Sequence, residues 1–236
     1  MHLSRVSLFP ERFPAVEKYP FNLSVLRNTR TVEIKAPVSF FVGENGSGKS
    51  TLLKAVSRKC GYHIWDESDR GRAEFNPHEE TLHRYLDIAW TSGEKPGAHI
   101  SSETYLHFTH LVDEWASLDR NLLPYFGGKS LMSQSHGESF MSFFRSRFAL
   151  EGLYLLDEPE TALSPKRQIE FLKLIRDMAG SGRAQFIIAT HSPILLACPG
   201  ASLFSFNGKR IETVPYEETD YYRIYRDFLL DRGKYL

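Results

Sequence analysis

Three short polar segments carry side chains that could act on phosphate groups, and each follows an apolar stretch of the chain. They are Gly43–Ser50, the acid pair Asp157-Glu158 and the turn around His191. Ammonium and backbone amide groups bind phosphate oxygens, carboxylates hold a divalent cation or activate a water molecule, and an imidazole can orient that water. Together, the three segments predict a site for a nucleoside triphosphate and Mg²⁺.

The segment Gly43–Ser50 fits the pattern G-x-x-x-x-G-K-[ST] at every fixed position. In this pattern the glycines let backbone N–H groups converge on phosphate oxygens, Lys49 contacts the β- and γ-phosphates, and the Ser50 hydroxyl ligates Mg²⁺. An apolar run, Val38–Val42, precedes it and a helical pattern follows, which a glycine-rich turn without a ligand would not need. The residues expected to bind nucleotide are Gly43, Glu44, Asn45, Gly46, Ser47, Gly48, Lys49, Ser50 and Thr51.

The acid pair Asp157-Glu158 ends the apolar run Leu153–Leu156. Two carboxylates are too costly to bury in a hydrophobic core, so they are expected to emerge at the carboxyl end of this strand, where open α/β sheets bind ligands. There Asp157 would hold Mg²⁺ and Glu158 would polarise the attacking water. The alternative is that the pair only caps a following helix.

His191 follows a further apolar run, Gln185–Thr190. Its position after a core strand predicts that the imidazole reaches the γ-phosphate and orients the attacking water. A turn histidine with satisfied hydrogen bonds is the alternative. The predicted catalytic residues are Lys49, Glu158 and His191.

The hydrophobic pattern around these segments predicts alternating strands and helices. Strands are predicted at residues 6–9, 23–26, 31–35, 38–42, 153–156 and 185–190, with a hairpin of 203–206 and 210–214 around Asn207-Gly208. Helices are predicted at residues 48–59, 79–90, 102–118, 138–150, 165–179 and 217–230. This alternation predicts an α/β fold with a mostly parallel sheet.

The helical stretch between residues 79 and 150 interrupts the alternation and is interpreted as a second lobe. We therefore expect one domain over residues 1–236, with a core lobe of about residues 1–65 and 151–236 and a helical lobe of about residues 66–150. The polar residues 66–80 are expected to form a surface loop.

Composition excludes several classes of function. The chain has 236 residues, with 29 Lys and Arg against 29 Asp and Glu, so it lacks the overall basic charge typical of nucleic-acid-binding domains. Its two cysteines, Cys60 and Cys198, are too few for a disulfide framework, which favours a cytoplasmic setting. No apolar run approaches the ~18–20 residues that span a bilayer, and the N-terminus has no secretory signal. Any membrane role would require a separate subunit.

Five segments, in this order, resemble the nucleotide-binding domain of ABC-type ATPases. They are the phosphate loop Gly43–Thr51, a signature loop Ser135–Glu138, the acid pair Asp157-Glu158, a D-loop Ala162–Pro165 and a switch histidine, His191. The resemblance covers most of the chain. It implies a P-loop NTPase fold of the ABC type, with N-terminal antiparallel strands beside the parallel sheet. It also implies ATP as the substrate, Mg²⁺ as the cofactor, and ATP hydrolysis.

The signature loop consists of Ser135, His136, Gly137 and Glu138. It departs from the transporter pattern L-S-G-G-Q and looks more like the S-G-G-E of chromosome-maintenance and repair ATPases, with His136 in place of a glycine. The whole chain is most similar to a small family of stand-alone bacterial ATPases with ABC-like or AAA labels. The matching segments are Phe40–Thr51, Ser135–Ser139, Thr190–Pro193 and Val214–Glu218.

The resemblance further implies that two copies sandwich two ATP molecules head to tail. Ser135 and the N-terminus of its helix would reach the γ-phosphate bound at Lys49 of the other copy, and Ser164 is the expected D-loop residue. A serine hydroxyl and a helix N-terminus near Glu138 are independently suited to bind an anion. ATP would then join a homodimer, and hydrolysis would let it open.

Two expected contacts have less specific sequence signals. The glutamine that links the core to the helical lobe in this family has no clean match, and Glu103, where strand gives way to helix, is the candidate for metal or water contact. The alternative for Glu103 is an acid in the first turn of a helix. The aromatic residue that stacks on adenine would be Tyr19 or Phe21, and either could instead belong to the core.

Two further clusters are interpreted structurally. The histidines and acids of residues 107–114 lie on one helical face but lack a cysteine or third fixed ligand for a metal. The tyrosines of residues 221–225 are expected to pack a C-terminal helix on the core rather than to contact a partner.

The function predicted first is that of a cytoplasmic ATPase whose ATP-driven homodimer acts on a protein or nucleic-acid partner, as repair and defence ATPases do. The alternative is the ATP-binding subunit of a membrane ABC transporter. A small-molecule kinase is disfavoured, because kinases need neither the S-x-G-E segment nor the switch histidine. About ninety residues separate Gly43 from Ser135, which leaves no room for a long coiled-coil arm. The S-x-G-E signature and the missing glutamine favour the first function.

Overall fold

The computed structural model describes residues 1–64, 76–126, 128–147 and 150–236. Its strands are β1 (Leu3–Leu8), β2 (Thr31–Glu33), β3 (Val38–Val42), β4 (Leu86–Trp90), β5 (Gly97–Ser101), β6 (Gly152–Asp157), β7 (Ala184–Ala189), β8 (Ser202–Ser205) and β9 (Glu212–Thr213). Its α-helices are α1 (Ser24–Arg27), α2 (Lys49–Lys59), α3 (Ser102–Leu118), α4 (His136–Arg147), α5 (Pro165–Gly180), α6 (Pro193–Leu196) and α7 (Asp220–Leu230).

Short 3₁₀ turns connect these elements at Pro10–Arg12, Leu82–Tyr85, Arg120–Phe126, Pro159–Ala162, Tyr216–Glu218 and Arg232–Lys234. Most of the surface loop expected at residues 66–80 lies outside the described residues. Within the described ranges, no helix combines the length and the apolar character that crossing a lipid bilayer requires.

The central sheet has the strand order β5-β6-β7-β3-β8-β9 and is parallel except for β9, which runs antiparallel to β8. The predicted mostly parallel sheet is therefore confirmed. Strands β3, β6 and β7 are buried along their whole length, because both faces of the sheet are covered. Parallel strands end at the same edge, so Gly43, Glu158 and Thr190, which directly follow these three strands, lie side by side there.

A second sheet has the order β2-β1-β4 and is antiparallel, which confirms the N-terminal antiparallel strands. Together with α2 it covers one face of the central sheet, where Leu53, Leu155 and Phe41 share a core. Helices α3, α4 and α5 cover the other face, with Phe171 and Phe186 in a second core. The domain is thus a layered α/β fold with the parallel sheet in the middle.

The helix predicted at residues 79–90 is wrong. Only a 3₁₀ turn forms at Leu82–Tyr85, and β4 follows it and pairs with β1, Val6 opposite Ile88. Apolar and polar or small residues alternate along residues 86–90, which is the period of a strand with one covered face. The segment forms a strand rather than a helix because pairing with β1 satisfies the hydrogen bonds of its backbone N–H and C=O groups.

The strand predicted at residues 23–26 is also wrong, because this segment forms the one-turn helix α1. Val25 and Leu26 are both buried, and neighbouring residues of a strand point to opposite faces. The Asn28 side-chain amide donates to the Ser24 carbonyl at 2.8 Å, and the Thr29 hydroxyl donates to the Val25 carbonyl at 2.6 Å. These bonds satisfy carbonyls at the end of the turn.

Strands β4 and β5 lie within the span expected for the helical lobe, but β4 pairs with β1 and β5 pairs with β6. The helical segment of the described chain is therefore confined to residues 102–147. Its core is aromatic: the rings of Tyr105 and Phe140 are 4.9 Å apart, and those of Phe144 and Phe171 are 5.2 Å apart. Helix α4 begins two residues before the start predicted for it. The end of that predicted helix includes residues 148–149, which lie outside the described ranges.

The C-terminal part follows the predicted order of hairpin and helix. The hairpin around Asn207-Gly208 is confirmed by the antiparallel pairing of β8 and β9. The expectation that the aromatic residues of the last helix pack on the core is confirmed for Tyr221, which is partly buried against it; no residue of α7 is fully buried. Ile224 and Tyr225 are half-exposed, while Tyr221, at the start of α7, turns towards the edge of the central sheet.

One buried side chain joins the two sheets. Gln185, in β7, is completely buried. Its Oε1 accepts the backbone N–H groups of His2 at 2.8 Å and Leu3 at 2.7 Å, and its Nε2 donates to the Leu3 carbonyl at 2.8 Å. The start of β1 therefore depends on this amide for its hydrogen bonds.

We expect Gln185→Ala to lower the free energy of unfolding by about 3 kcal/mol, because it leaves buried amide and carbonyl groups of β1 without partners. Urea unfolding at neutral pH measures this loss. Gln134→Ala is the matched control: Gln134 bonds Ser142 and the Ser130 carbonyl at a half-buried position, and its removal should cost less than about 1 kcal/mol. Equal losses in the two variants would contradict this account of how the sheets are joined.

Candidate functional site

The phosphate loop leaves β3 and enters α2 through Gly48, whose φ of +105° lies in the region that favours glycine. A Cβ at this position would also come within 3.1 Å of Leu23 Cδ1, so any larger residue would press against the Leu23 side chain. The loop is held from the far end of the chain, because the Glu44 N–H donates to Asn207 Oδ1 at 2.7 Å. The loop is thus fixed both by its own backbone and by the β8–β9 turn.

Lys49 lies inside the loop and is almost completely buried. Its Nζ donates to the Gly43 carbonyl at 2.7 Å and the Glu44 carbonyl at 2.9 Å. Burial lowers the pKa of Lys49, and the negative charges of Glu158 and Asp157 oppose that shift. The ammonium is therefore near enough to the acid pair to feel both charges, and its predicted role on a phosphate stays a prediction.

Ser50 and Asp157 come together across the sheet edge. The Ser50 hydroxyl donates to Asp157 Oδ1 at 2.8 Å. Burial raises the pKa of Asp157 to about 6, the nearby Glu158 adds to this shift, and the Ser50 hydrogen bond opposes it. A hydroxyl and a carboxylate that already face each other form a pair of oxygen ligands suited to a hard divalent cation.

Glu158 has φ +49° and ψ 51°, a left-handed conformation that is uncommon for a residue with a side chain. Its peptide N–H donates to the Ala189 carbonyl at 2.9 Å, which ties the end of β6 to β7. Its Oε1 lies 3.1 Å from His191 Nε2. Glu158 precedes a 3₁₀ turn but its side chain makes no capping hydrogen bond to that turn. The alternative, in which the acid pair only caps a following helix, is therefore wrong for Glu158.

His191 is held at three points. Its backbone N–H donates to Glu160 Oε1 at 2.6 Å, its Nε2 faces Glu158, and its Nδ1 hydrogen-bonds the Tyr221 hydroxyl. Burial and then the Lys49 charge lower the pKa of His191, while Glu158 opposes the shift. A neutral imidazole with partners on both nitrogens has a fixed orientation at the edge of the sheet.

The signature loop makes a different cluster. The Ser135 backbone N–H and hydroxyl donate to Glu138 Oε2 at 3.2 and 2.7 Å, so the Glu138 carboxylate accepts the free N–H before α4, as the glutamate of a capping box does. Arg167 lies 3.6 Å from the other carboxylate oxygen of Glu138. Gly137 is close to the D-loop, because a Cβ there would lie 3.4 Å from the Ala162 carbonyl. The structure therefore groups the signature loop with the D-loop.

Ser164, the predicted D-loop residue, is the N-cap of α5, and its hydroxyl accepts the Arg167 N–H at 3.4 Å. Pro165 follows as the first helical residue, a position that proline favours. Ser164 therefore has a structural role in its own chain, and its predicted role at an interface between two copies stays a prediction.

The two candidates for stacking on adenine differ in exposure. Phe21 is completely buried and packs on Phe13 with ring centroids 4.7 Å apart, so it belongs to the core. Tyr19 is 39% exposed, and its hydroxyl hydrogen-bonds Thr51 Oγ1 at 2.8 Å. Tyr19 is therefore the candidate that lies beside the phosphate loop and is partly exposed.

Glu103 lies in the first turn of α3, two residues after Ser101, which pairs with Asp157 in the sheet register. The predicted passage from strand to helix at this point is confirmed, and the role of Glu103 stays a prediction. In the 107–114 cluster, Asp113 accepts hydrogen bonds from Ser130 and from the N–H groups of Leu131 and Met132. No three His, Cys, Asp or Glu side chains of the described residues form a metal cluster.

Three contact residues of the site were not found from the sequence. The sequence indicates Asn207 only as a turn residue, yet its side chain accepts the Glu44 N–H. Glu160 follows the acid pair and accepts the His191 N–H, and the sequence Asp-Glu-Pro-Glu was a signal that could have indicated it. Tyr221, assigned to core packing, contacts His191 and Gly43.

The chain is similar to known ATP-binding proteins. It is 29% identical over 167 residues to the hemin import ATP-binding protein HmuV of Bradyrhizobium diazoefficiens, an alignment that covers 62% of this chain and 61% of the relative. It is 26% identical over 180 residues to the zinc import ATP-binding protein ZnuC of Paracoccus denitrificans, covering 71% of this chain and 63% of the relative. The chain thus spans less than two thirds of the length of these curated relatives.

Residues 143–197, which include the acid pair and His191, match the model of the AAA_21 family, described as "AAA domain, putative AbiEii toxin, Type IV TA system". Among solved structures, the SMC head domain from Thermotoga maritima superposes with a TM-score of 0.52 at 16% identity, covering 91% of this chain and 99% of that chain. At this level of identity the likeness shows the fold.

The parallel sheet with a phosphate loop, an acid pair and a histidine at its carboxyl edge defines a P-loop NTPase of the α/β class. Taken with the relatives, this arrangement makes the chain similar to the nucleotide-binding domains of ABC-type ATPases.

The raised pKa of Asp157 has a consequence for stability. Its value of about 6 exceeds the 3.8 of a solvated aspartate, so the folded protein binds this proton more tightly than the unfolded chain does. Stability is therefore lost as the pH rises from about 4 to about 6, and the loss persists at higher pH.

Without nucleotide or Mg²⁺, we expect Asp157→Asn to be more stable than the wild type by about 1–3 kcal/mol at pH 7.5, because asparagine carries no buried charge. The difference should shrink at pH 4.5, where the wild-type carboxyl is mostly protonated. Urea unfolding in EDTA at both pH values measures it, with the exposed Asp87→Asn as control. A difference that is the same at both pH values would contradict the assignment of this shift to Asp157.

Proposed function

We propose that the chain binds ATP together with Mg²⁺ and hydrolyses the bond to the γ-phosphate. The observation that carries this proposal is the convergence of the buried Lys49 ammonium, the Ser50–Asp157 pair and the Glu158–His191 pair at one edge of the sheet. A triphosphate with a divalent cation complements this set, since the loop supplies amides and an ammonium and the end of β6 supplies carboxylates.

The oxygen atoms of Ser50 and Asp157 fit Mg²⁺. Both are hard donors, and they are 2.8 Å apart without any intervening group. When bound, Mg²⁺ would neutralise negative charge on the β- and γ-phosphates. Glu103, two residues after the Ser101 that pairs with Asp157, is proposed as a further contact to the ion or its water.

Lys49 would supply positive charge at the β- and γ-phosphates. Its ammonium is oriented in advance by the carbonyls of Gly43 and Glu44. Burial disfavours the charged form of this lysine, and phosphate oxygens would offset that cost. The Ser47 hydroxyl, buried without a hydrogen-bond partner in the described structure, is a further donor available to a phosphate.

Glu158 would act as the general base, and His191 would orient the attacking water against the γ-phosphate. The Glu158 carboxylate takes a proton from the water while the water oxygen attacks the γ-phosphorus, and ADP leaves. Strained backbone conformations such as that of Glu158 cost about 1–3 kcal/mol and cluster at active sites, which supports a functional reason for this geometry. His191 Nε2, 3.1 Å from the base, is close enough to share that water.

The hydrolytic unit in this proposal is a homodimer that encloses ATP between two copies. The support is the exposed Ser135 at the N-terminus of α4, a helix of 12 residues. Its N–H and hydroxyl already converge on one anionic group, the Glu138 carboxylate. A γ-phosphate held at Lys49 of the other copy would use the same donors. His136, Gly137 and Ser164 complete the proposed interface.

The proposed role is that of a stand-alone ATPase whose dimerisation switches a protein or nucleic-acid partner. Support comes from the S-x-G-E signature, from Glu103 at the place of the family's glutamine, and from the match to the AAA_21 model. The division of residues 1–236 into a core lobe and a helical lobe that carries the signature loop is part of this proposal.

The second candidate is the ATP-binding subunit of a membrane transporter. It is favoured by the relatives HmuV and ZnuC, both import ATP-binding proteins. Such a subunit would join the membrane only through a separate protein. ATP-loaded chain that associates with membrane vesicles from the source cells, and not with vesicles stripped of protein, would favour this candidate over the first.

We expect Glu158→Gln to keep ATP binding but to slow hydrolysis by about 10²-fold or more, because the amide cannot take the proton. With ATP and Mg²⁺ this variant should elute in sizing experiments at about twice the 27.1 kDa mass of the chain. Phosphate release and light scattering measure the two effects.

The matched control is the double variant Glu158→Gln with Ser135→Arg, which should bind ATP and remain monomeric, because the bulky side chain occupies the exposed helix N-terminus. Wild-type turnover in Glu158→Gln would remove Glu158 as the base. A normal ATP-dependent dimer in the double variant would contradict the sandwich arrangement.

A further inference from the structure

Tyr221, the second residue of α7, connects the C-terminal helix to the catalytic edge. Its hydroxyl hydrogen-bonds His191 Nδ1 and also lies 3.2 Å from the Gly43 carbonyl, which it can donate to. The two rings meet edge to face, with centroids 5.2 Å apart and an angle of 81°. One hydroxyl therefore links the switch histidine to the first glycine of the phosphate loop.

A second chain of hydrogen bonds runs from the same turn of α7 to the same loop. Asp220 Oδ2 accepts from Asn207 Nδ2 at 2.8 Å, and Asn207 Oδ1 accepts the Glu44 N–H at 2.7 Å. Tyr221 thus contacts the phosphate loop directly at Gly43, and Asp220 reaches Glu44 of the same loop through Asn207. These polar contacts, together with the packing of the partly buried Tyr221 against the core, define where the start of the helix lies.

The protons at His191 can be assigned from its partners. The Glu158 carboxylate only accepts, so its contact at 3.1 Å places a proton on Nε2. In the neutral imidazole Nδ1 is then an acceptor, and the Tyr221 hydroxyl donates to it. In the protonated imidazole Nδ1–H donates, and the same hydroxyl turns to the Gly43 carbonyl. Phenylalanine at this position could serve neither form.

We propose that Tyr221 is a positioning residue for His191: its hydroxyl holds the imidazole between Glu158 and the phosphate loop, and so makes the orientation of His191 depend on the position of α7. The catalytic consequence rests on the proposed ATP hydrolysis, whereas the contact itself does not. A shift of the start of α7 would withdraw the hydroxyl and leave His191 Nδ1 without this partner. The C-terminal helix is thereby part of the catalytic apparatus.

Tyr221→Phe removes only the hydroxyl and tests the proposal in the full chain. We expect kcat for ATP to fall about tenfold while KM stays within about twofold, because the variant disturbs the orientation of His191 and leaves the residues that hold the phosphates in place. The matched control is Tyr222→Phe, the next residue of the same helix, whose ring packs on Tyr216 at 4.7 Å. This control should retain wild-type kcat and KM.

A second readout does not depend on activity. In nucleotide-free protein labelled with ¹⁵N-histidine, the Nδ1 resonance of His191 should move in Tyr221→Phe towards that of an imidazole hydrogen-bonded only to water, and should stay in place in Tyr222→Phe. The chain has nine histidines, so His191→Gln assigns the resonance. A merely structural role of the ring would leave Nδ1 unchanged or would affect both variants.

The outcomes separate this inference from the proposed function. A wild-type chain that does not hydrolyse ATP would contradict the proposed function. The contact between Tyr221 and His191 would then be tested by the Nδ1 resonance alone. An active wild type with Tyr221→Phe at the same kcat, or with an unmoved Nδ1 resonance, would overturn the inference alone.

Discussion

The hydrogen bond of 2.8 Å between the Ser50 hydroxyl and Asp157 Oδ1 is the contact on which the rest of the site depends. It joins the first turn of α2 to the end of β6, although β3, which leads to that turn, and β6 are not neighbours in the sheet. Strand β7 lies between them, and its last residue, Ala189, accepts the Glu158 N–H at 2.9 Å. Because the three strands are parallel, phosphate loop, acid pair and switch histidine meet at one edge.

The same arrangement lowers the stability of the fold when no ligand is present, because it buries charged groups and strains the backbone. Lys49 is buried against neutral carbonyls, Asp157 is buried against a hydroxyl, and Glu158 has a left-handed backbone. Burial shifts the pKa of Lys49 downward and that of Asp157 upward, each towards its neutral form. A polyanion with a divalent cation supplies opposite charge to both groups at once, so ligand binding and fold stability are linked at this edge.

The sequence predicted the parts of this arrangement that local patterns determine. The glycine spacing and the apolar run before it predicted β3 and, within one residue, the start of α2. The missed features depend on partners far along the chain: β4 becomes a strand only by pairing with β1, and Tyr221 contacts Gly43 across 178 residues. No local periodicity encodes such contacts. The role proposed for Ser135 needs a second copy of the chain, so the pattern of one chain predicts only the hydrogen-bond donors.

Calorimetric titration of ATP with Mg²⁺ into the nucleotide-free chain, in the wild type and in Lys49→Ala, tests the central claim most directly. If ammonium, hydroxyl and acids converge on one triphosphate, the wild type should give a saturable heat that is weakened when EDTA replaces Mg²⁺. Lys49→Ala should give no measurable binding while its circular dichroism stays that of the wild type. Equal affinity in the two proteins, or no heat from the wild type, would contradict the account.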